Sequence, residues 1–181
     1  QATFLKGLRI TETLGLYSRQ RGMVLPSGFQ TMIGNVSESI FIQWLPTTAT
    51  VWRKDILSTF HFDEWFSGYS YLEDLDFSYR IGKKYRLAVV ENARYYHYPG
   101  SGGRGSSLAF GKREVLNRIY FVKKHQELSL SKCYLALIVK IFLSLISAIK
   151  EGEFGYIKRV AGNIAGFGQS PIMLRNMQIK E

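Results

Sequence analysis

The spacing of apolar residues along the chain alternates between β-type runs and helical periods. Residues 39–52, SIFIQWLPTTATVW, combine β-branched and aromatic residues with a two-residue alternation that stops at Pro46. We predict one strand before this proline and a second at TATVW. Residues 86–93, RLAVVENA, predict a further strand, and RYYHY either continues it or forms another.

Helical periods occur between and after these strands. RKDILSTF, residues 53–60, predicts a short helix, and LEDLDFSYRIGKKY, residues 72–85, predicts a longer one that ends near Gly82. Residues 108–126 repeat apolar side chains at helical spacing, and residues 132–150 predict a last helix that is far more apolar than the rest. This order is typical of an α/β or α+β domain, with part of a layered sheet followed by helices.

Composition and charge favour a folded protein with anionic partners. Hydrophobic residues make up 46% of the 181 residues, enough for one domain with a core. Lys and Arg number 24 against 14 acidic residues, which favours phosphorylated substrates or an anionic membrane face. The basic residues are spread out and no RNA-recognition or helix-turn-helix signature is present, so no nucleic-acid partner is expected. The single cysteine, Cys133, lies in an apolar run and predicts a structural thiol in a reducing compartment.

A cluster of carboxylates marks YLEDLDFSYR, residues 71–80. Acidic residues at a helix start are stabilised by the helix dipole by about 0.3–1 kcal/mol each, so an ordinary helix N-terminus is one interpretation. General-base chemistry is the other. Asp76 can pair with Arg80 one turn later as structural support, which leaves Glu73 and Asp74 to act on a substrate. Adjacent carboxylates in an aromatic pocket suit this work because burial or a like charge raises one pKa.

A histidine and a glycine-rich loop follow the last predicted strand. His97 can donate a ring nitrogen to a divalent cation, although a lone histidine is more often a packed or surface residue. His61 and His125 have no partner pattern and are predicted to be structural. GSGGRG, residues 100–105, has the spacing of a dinucleotide fingerprint, but a helix follows where an acid-bearing strand is required, so we reject that function. A flexible lid on which Arg104 meets a phosphate, or a plain linker, remain as interpretations.

The apolar tail at residues 133–149 is short for a transmembrane helix of about 20 residues. Lys140 lies at its middle, where a charge costs about 2.5–3.5 kcal/mol on insertion. The polar stripe of this helix consists of Lys140, Ser144, Ser147 and Glu151. The pattern predicts an amphipathic helix that lies on an anionic membrane surface or docks on a partner, and a core helix of a larger protein is the alternative.

Several motifs between about residues 20 and 125, taken in order, resemble the acceptor-side half of family 2 glycosyltransferases, which are inverting enzymes with a GT-A fold. The matching residues are Arg53, Phe62, Asp63, Glu64, Glu73, Asp74, Asp76, Arg80 and His97. REVLNRIYFVKKH, residues 113–125, also resembles the helix that follows the catalytic residues in members that build surface polysaccharides. The resemblance implies an α/β fold class, with part of a GT-A-like mixed sheet and flanking helices in residues 1–107, followed by an α-helical tail in residues 108–181.

The resemblance also implies a reaction. A sugar would move from a nucleotide-sugar donor to a hydroxyl of a glycan or lipid-linked acceptor, with inversion, and Asp74 matches the general base. The positions that match acceptor binding are Glu73, Asp63 and Glu64. His97 would complete a site for Mg²⁺ or Mn²⁺, and Arg104 would close over the diphosphate.

The sequence departs from the family pattern at three points. Thr48–Ala49 replaces a Gly-Ala pair, and His61 replaces a glycine before Phe-Asp-Glu. The Asp-x-Asp motif of the nucleotide-binding half is missing, since the single Asp-x-Asp here, at residues 74–76, belongs to the acceptor side. We therefore expect the C-terminal portion of a longer enzyme, inactive as an isolated fragment.

Two functions follow as hypotheses. The first is a glycosyltransferase of the hexosyl or rhamnosyl type, acting in cell-surface polysaccharide or glycolipid synthesis from the cytoplasmic, inner face of the membrane. The second is a non-catalytic fragment or membrane-surface interaction module that keeps the fold without the activity.

Overall fold

Helices form most of the structure. The computed structural model describes residues 11–12, 15–68, 70–96, 98, 105–151 and 154–177. In chain order, these residues form β1 (Ile40–Ile42), a 3-10 turn (Thr47–Ala49), α1 (Lys54–Thr59), α2 (Glu73–Gly82), β2 (Leu87–Val89), α3 (Ser107–Lys124), α4 (Leu130–Glu151) and α5 (Phe154–Asn176). The helices predicted from RKDILSTF, from the acidic segment, and from the two C-terminal apolar periods are confirmed.

The predicted α/β fold class is wrong. Among the described residues, 54% are helical and 5% are in strands, and no GT-A-like mixed sheet is formed. The sheet in this part of the chain has two antiparallel strands, in which Ile40 of β1 pairs with Val89 of β2. TATVW, residues 48–52, forms no strand. Its first two residues belong to the 3-10 turn, and its Val51 is 98% exposed. RYYHY adds no strand in its described positions, where Tyr96 is 87% exposed, because a strand needs a buried face to pack against.

Two clusters of buried side chains lie on either side of α2. Leu72 and Leu75 belong to the first cluster, which includes side chains of α3 and α4. Phe77 and Ile81 belong to the second, which packs around β1, β2 and α1. The helical spacing of Leu72, Leu75 and Tyr79 in the sequence indicates only the first of these two buried faces. Because α2 is buried on both faces, its acidic first turn is held rigidly between the sheet and the C-terminal helices.

Glycines allow α3 and α5 to approach closely. A Cβ at Gly162 of α5 would lie 2.1 Å from the carbonyl oxygen of Leu108, and a Cβ at Gly111 of α3 would lie 2.2 Å from the carbonyl oxygen of Arg159. Real Cβ atoms do not approach oxygen so closely, so a side chain at either position would force the helices apart. Helix α5 therefore packs directly on the backbone of α3, which carries several residues of the site.

Helix α5 lies inside the predicted α-helical tail of residues 108–181, but the sequence did not predict it as a separate helix, because its glycines and Pro171 are typical of helix ends. Pro171 lacks the N–H that would bond to the carbonyl of Phe167, four residues earlier. The hydroxyl of Ser170 donates to this carbonyl instead, at 2.7 Å, and it also hydrogen-bonds to the hydroxyl of Tyr134 on α4 at 2.9 Å. The proline is tolerated because a neighbouring side chain satisfies the carbonyl.

Helix α4 turns its polar side toward the protein and an apolar side outward. Lys140 forms an ion pair with the buried Glu114 of α3, and Ser144 is 7% exposed. The exposed apolar stripe of α4 consists of Leu135, Ile138, Phe142, Leu145 and Ile149. By length and composition alone, residues 130–150 could cross a membrane, and 29% of their apolar window is buried inside the protein.

Candidate functional site

The acidic residues follow a turn with unusual backbone geometry. Ser70 and Leu72 both have positive φ, 44° and 77°, and neither is glycine. Such conformations cost on the order of 1–3 kcal/mol each and persist only where the surroundings hold them. Asn117 of α3 supplies this restraint, because its side-chain amide donates to the carbonyl of Tyr71 at 2.8 Å. Backbone strain therefore lies immediately before the first residue of α2, Glu73.

Glu73 and Asp74 occupy the first turn of α2, and both side chains are partly buried. Burial raises the pKa of Asp74 above 3.8, and the N–H of Leu75, which donates to Asp74 Oδ1 at 2.8 Å, and the charge of Arg118 offset only part of this rise. Burial also raises the pKa of Glu73, and the like charge of Asp74 adds to the effect. A carboxylate with a raised pKa holds a proton more readily, which suits a general base.

Asp76 lies on the same turn in a different environment. Its side chain is fully buried, and three basic groups contact it at 2.9 Å: Arg80 Nε, Lys124 Nζ and His125 Nε2. Burial alone would raise the pKa of Asp76, but the hydrogen bonds from His125 and Lys124 and the charges of Lys124 and Arg80 lower it from 3.8 to about 2. The predicted Asp76–Arg80 pair is confirmed, and Asp76 joins α2 to the end of α3.

Lys124 extends this network to Asp63 in the loop after α1. Lys124 Nζ lies 2.5 Å from Asp63 Oδ2, and the hydroxyl of Tyr120 donates to the same oxygen at 2.8 Å. Burial opposes the ionisation of Asp63, yet these bonds and one from the N–H of Trp65 outweigh it and lower the pKa. The carboxylate of Asp63 is therefore engaged inside the protein, whereas the neighbouring Glu64 is exposed. Acceptor binding by either residue stays a prediction.

Two predicted site residues, His97 and Arg104, lie outside the residues that the structure describes. Their predicted contacts with a metal ion and a diphosphate stay predictions. Within the described ranges, no group of three or more His, Cys, Asp or Glu residues could hold a metal ion. The Mg²⁺ or Mn²⁺ site that the resemblance implies therefore stays a prediction.

Sequence reasoning missed three residues of α3 that shape the site. Tyr120 and Lys124 connect the Asp63 loop to α2, and Arg118 acts on the charge of Asp74. The four-residue spacing of Tyr120 and Lys124 indicates a shared helix face, and Arg118 interrupts an otherwise apolar run. Neither signal names the partner, because the partners lie tens of residues away in the sequence.

The arrangement separates the carboxylates of one helix turn by environment. Glu73 and Asp74 have raised pKa values beside a strained turn, and Asp76 is ionised and held in a network of basic side chains.

Comparisons with protein-family models, with curated proteins and with solved structures find no match for the chain.

Proposed function

We propose that the chain is the acceptor-side, base-carrying portion of an inverting glycosyltransferase. The observation that supports this most directly is the contrast between Asp74 and Asp76. Asp74 has a raised pKa and no basic group within salt-bridge distance among the described residues. Asp76 is ionised, and Arg80, Lys124 and His125 all contact its carboxylate. Enzymes obtain distinct roles for neighbouring carboxylates by such differences in environment.

In the proposed reaction, Asp74 accepts the proton of the acceptor hydroxyl. The oxygen of that hydroxyl forms a bond to the anomeric carbon of the donor sugar, and the bond from this carbon to the nucleoside diphosphate breaks on the opposite face, with inversion. Glu73 holds the acceptor, and Asp76 keeps the turn in place through Lys124 and His125. The predicted divalent cation enters no step of this proposal.

Replacement of the base tests the proposal. In an assay that joins this chain to a nucleotide-sugar-binding half, Asp74→Asn is expected to lower the transfer rate by about 10²–10⁴-fold, the usual contribution of a general base. Asp55→Asn is the matched control, since Asp55 pairs with Arg53 on the exposed surface of α1. Full transfer by Asp74→Asn would disprove the assignment.

A second candidate function, a membrane-surface module, is favoured by a different observation. Besides the exposed apolar stripe of α4, the start of α5 also exposes apolar side chains, Phe154 at 66% and Ile157 at 49%. Lys150 and Lys158 lie near this surface, and lysines beside an apolar face favour anionic lipid. This geometry is compatible with an enzyme held at the membrane and with a module that only binds there.

Vesicle co-sedimentation tests the membrane surface. We expect the chain to bind phosphatidylglycerol vesicles, with weaker binding at high salt, and the double change Ile138→Asp and Phe142→Asp to abolish this binding. Val51→Asp is the control because Val51 is also exposed but lies before α1, outside α4 and α5. Equal binding by both variants would contradict this function.

A further inference from the structure

A cavity of about 630 Å³ lies between the segment of residues 16–32, α3 and α4. Its volume is in the range of pockets that hold small organic ligands, which is about 300–1,000 Å³. Tyr71, the residue before the left-handed Leu72, is part of its lining. The cavity is therefore next to the turn that carries the acidic residues, and it does not include Glu73 or Asp74.

The charged groups of the cavity are all basic. Its lining includes Arg19, Arg21, Arg118 and Lys140, and it contains no acidic residue. Arg19 lies 3.5 Å from Glu12, and Lys140 pairs with Glu114, a carboxylate that it shares with Arg159.

Arg118 is buried, and it forms no ion pair with a described residue. Its side chain is among the largest fully buried ones, and its guanidinium donates to the carbonyl of Gly28, to Gln30 Oε1 at 2.8 Å and to the hydroxyl of Tyr71 at 3.5 Å. It also lies 4.4 Å from the centre of the Phe29 ring. All these partners are neutral, and in the described part of the chain Arg118 forms no ion pair. Buried charges in proteins are normally paired. The charge of Arg118 reaches Asp74 and lowers its pKa, but no described carboxylate lies within ion-pair distance of the guanidinium, so a ligand anion could pair with it.

Arg21 adds a second cation at the exposed rim. Its guanidinium donates to the carbonyl of Asn35 and forms no ion pair with a described carboxylate. Glu114 is shared between Lys140 and Arg159, so that cluster keeps one excess positive charge (two cations against one carboxylate). The local field therefore favours an anionic ligand.

Helix α4 contributes apolar side chains to the cavity. Ala136, Val139 and Leu143 line it together with Lys140, and they are neighbours in the sequence of Ile138 and Phe142 of the exposed apolar stripe. The cavity thus combines basic groups with apolar lining.

We propose that this cavity binds an anionic amphiphile, with a phosphate ester held by Arg21 and Arg118 and an apolar chain lying along Ala136, Val139 and Leu143. A membrane phospholipid and a soluble long-chain phosphate share this chemistry. The proposed ligand binding does not depend on glycosyl transfer, because Arg21, Ala136, Val139 and Leu143 have no role in the proposed reaction and Arg118 acts on Asp74 only through its charge.

Calorimetric titration with decyl phosphate, below its micelle concentration, tests the site on the full chain. Leu143→Trp fills the cavity, whereas Phe142→Trp adds the same ring to the exposed face one residue away. We expect binding by the wild type and by Phe142→Trp, and at least about tenfold weaker binding by Leu143→Trp. Circular dichroism melts confirm that both variants are folded. Equal affinities for the two variants would overturn the proposal.

The charge requirement is tested separately. Arg21→Gln is expected to weaken decyl phosphate binding by about 10-fold to 100-fold, as for the loss of a charged hydrogen bond, and Arg86→Gln, an exposed arginine outside the cavity, is expected to leave it unchanged. Decanol and inorganic phosphate are expected to bind at least about tenfold more weakly than decyl phosphate. Decanol binding as tight as that of decyl phosphate would overturn the anionic head group, and equal binding of inorganic phosphate would overturn the apolar chain.

Vesicles distinguish the two sources of the ligand. If Leu143→Trp also loses binding to phosphatidylcholine vesicles that contain phosphatidic acid, the cavity takes a lipid from the bilayer. If vesicle binding is unchanged while decyl phosphate binding is lost, the cavity takes a soluble amphiphile. Both results support the site and assign its source.

Discussion

At the scale of single residues, the acidic turn of α2 shows that position in the sequence does not determine chemical state. Asp74 and Asp76 are two residues apart, yet burial raises one pKa and basic partners lower the other to about 2. The sequence predicted the Arg80 partner of Asp76 because it lies one helical turn away. Lys124 and His125 could not be predicted, since only the folded chain brings the end of α3 to α2.

Asp76→Asn is expected to destabilise the protein by about 3–5 kcal/mol near neutral pH, because it removes the buried anion that Arg80, Lys124 and His125 share. Urea unfolding measures this loss. Asp55→Asn, which removes an exposed pair with Arg53, is expected to cost at most about 1 kcal/mol. A loss for Asp76→Asn no greater than that of the control would refute the structural role of Asp76.

Asp76→Asn also tests how the free energy of unfolding depends on pH. The folded-state pKa of Asp76 lies below its ordinary value, so its contribution to stability is present above pH 3.8 and is lost as the pH falls toward about 2. The difference in unfolding free energy between wild type and Asp76→Asn should therefore shrink over this interval. A difference that stays constant from neutral pH to pH of about 2 would show that ionisation of Asp76 contributes nothing.

At the scale of elements, α3 organises the molecule. It pairs Glu114 with α4 and α5, places Arg118 in the cavity, restrains the strained turn through Asn117, and joins Asp63 to Asp76 through Lys124. Its existence follows from its apolar period. Its role does not, because its partners lie far away in the sequence, in the loops before α1 and α2, in α2 itself, and in α4 and α5.

Gly162→Ala tests the close packing of α3 and α5. The new Cβ would lie 2.1 Å from the backbone oxygen of Leu108, so the helices must separate, and we expect a loss of about 1–3 kcal/mol. Gly168→Ala on the same helix has no atom within 4 Å of its new Cβ and is expected to be neutral or to stabilise by up to about 1 kcal/mol. Thermal melts followed by circular dichroism compare the two. A melting temperature for Gly162→Ala at or above that of the wild type would contradict this packing.

At the scale of the whole molecule, the sequence predicted helices well and the fold class wrongly. The spacing of apolar residues in α4 correctly predicted a helix. It could not show that Lys140 faces the buried Glu114, or that an apolar side of the helix faces outward. The β-type run at TATVW has strand propensity but no core to cover it, since Val51 is exposed. Pairing and burial are long-range properties, and a local pattern does not encode them.

The central claim is that the neighbouring carboxylates of α2 have separate roles, and a carboxyl-carbon NMR titration of the aspartates measures it directly, with Asp74→Asn and Asp76→Asn to assign the signals. We predict that Asp74 titrates above 3.8 and that Asp76 titrates near 2. An Asp74 that titrates at or below 3.8, or an Asp76 that titrates above Asp74, would contradict the account.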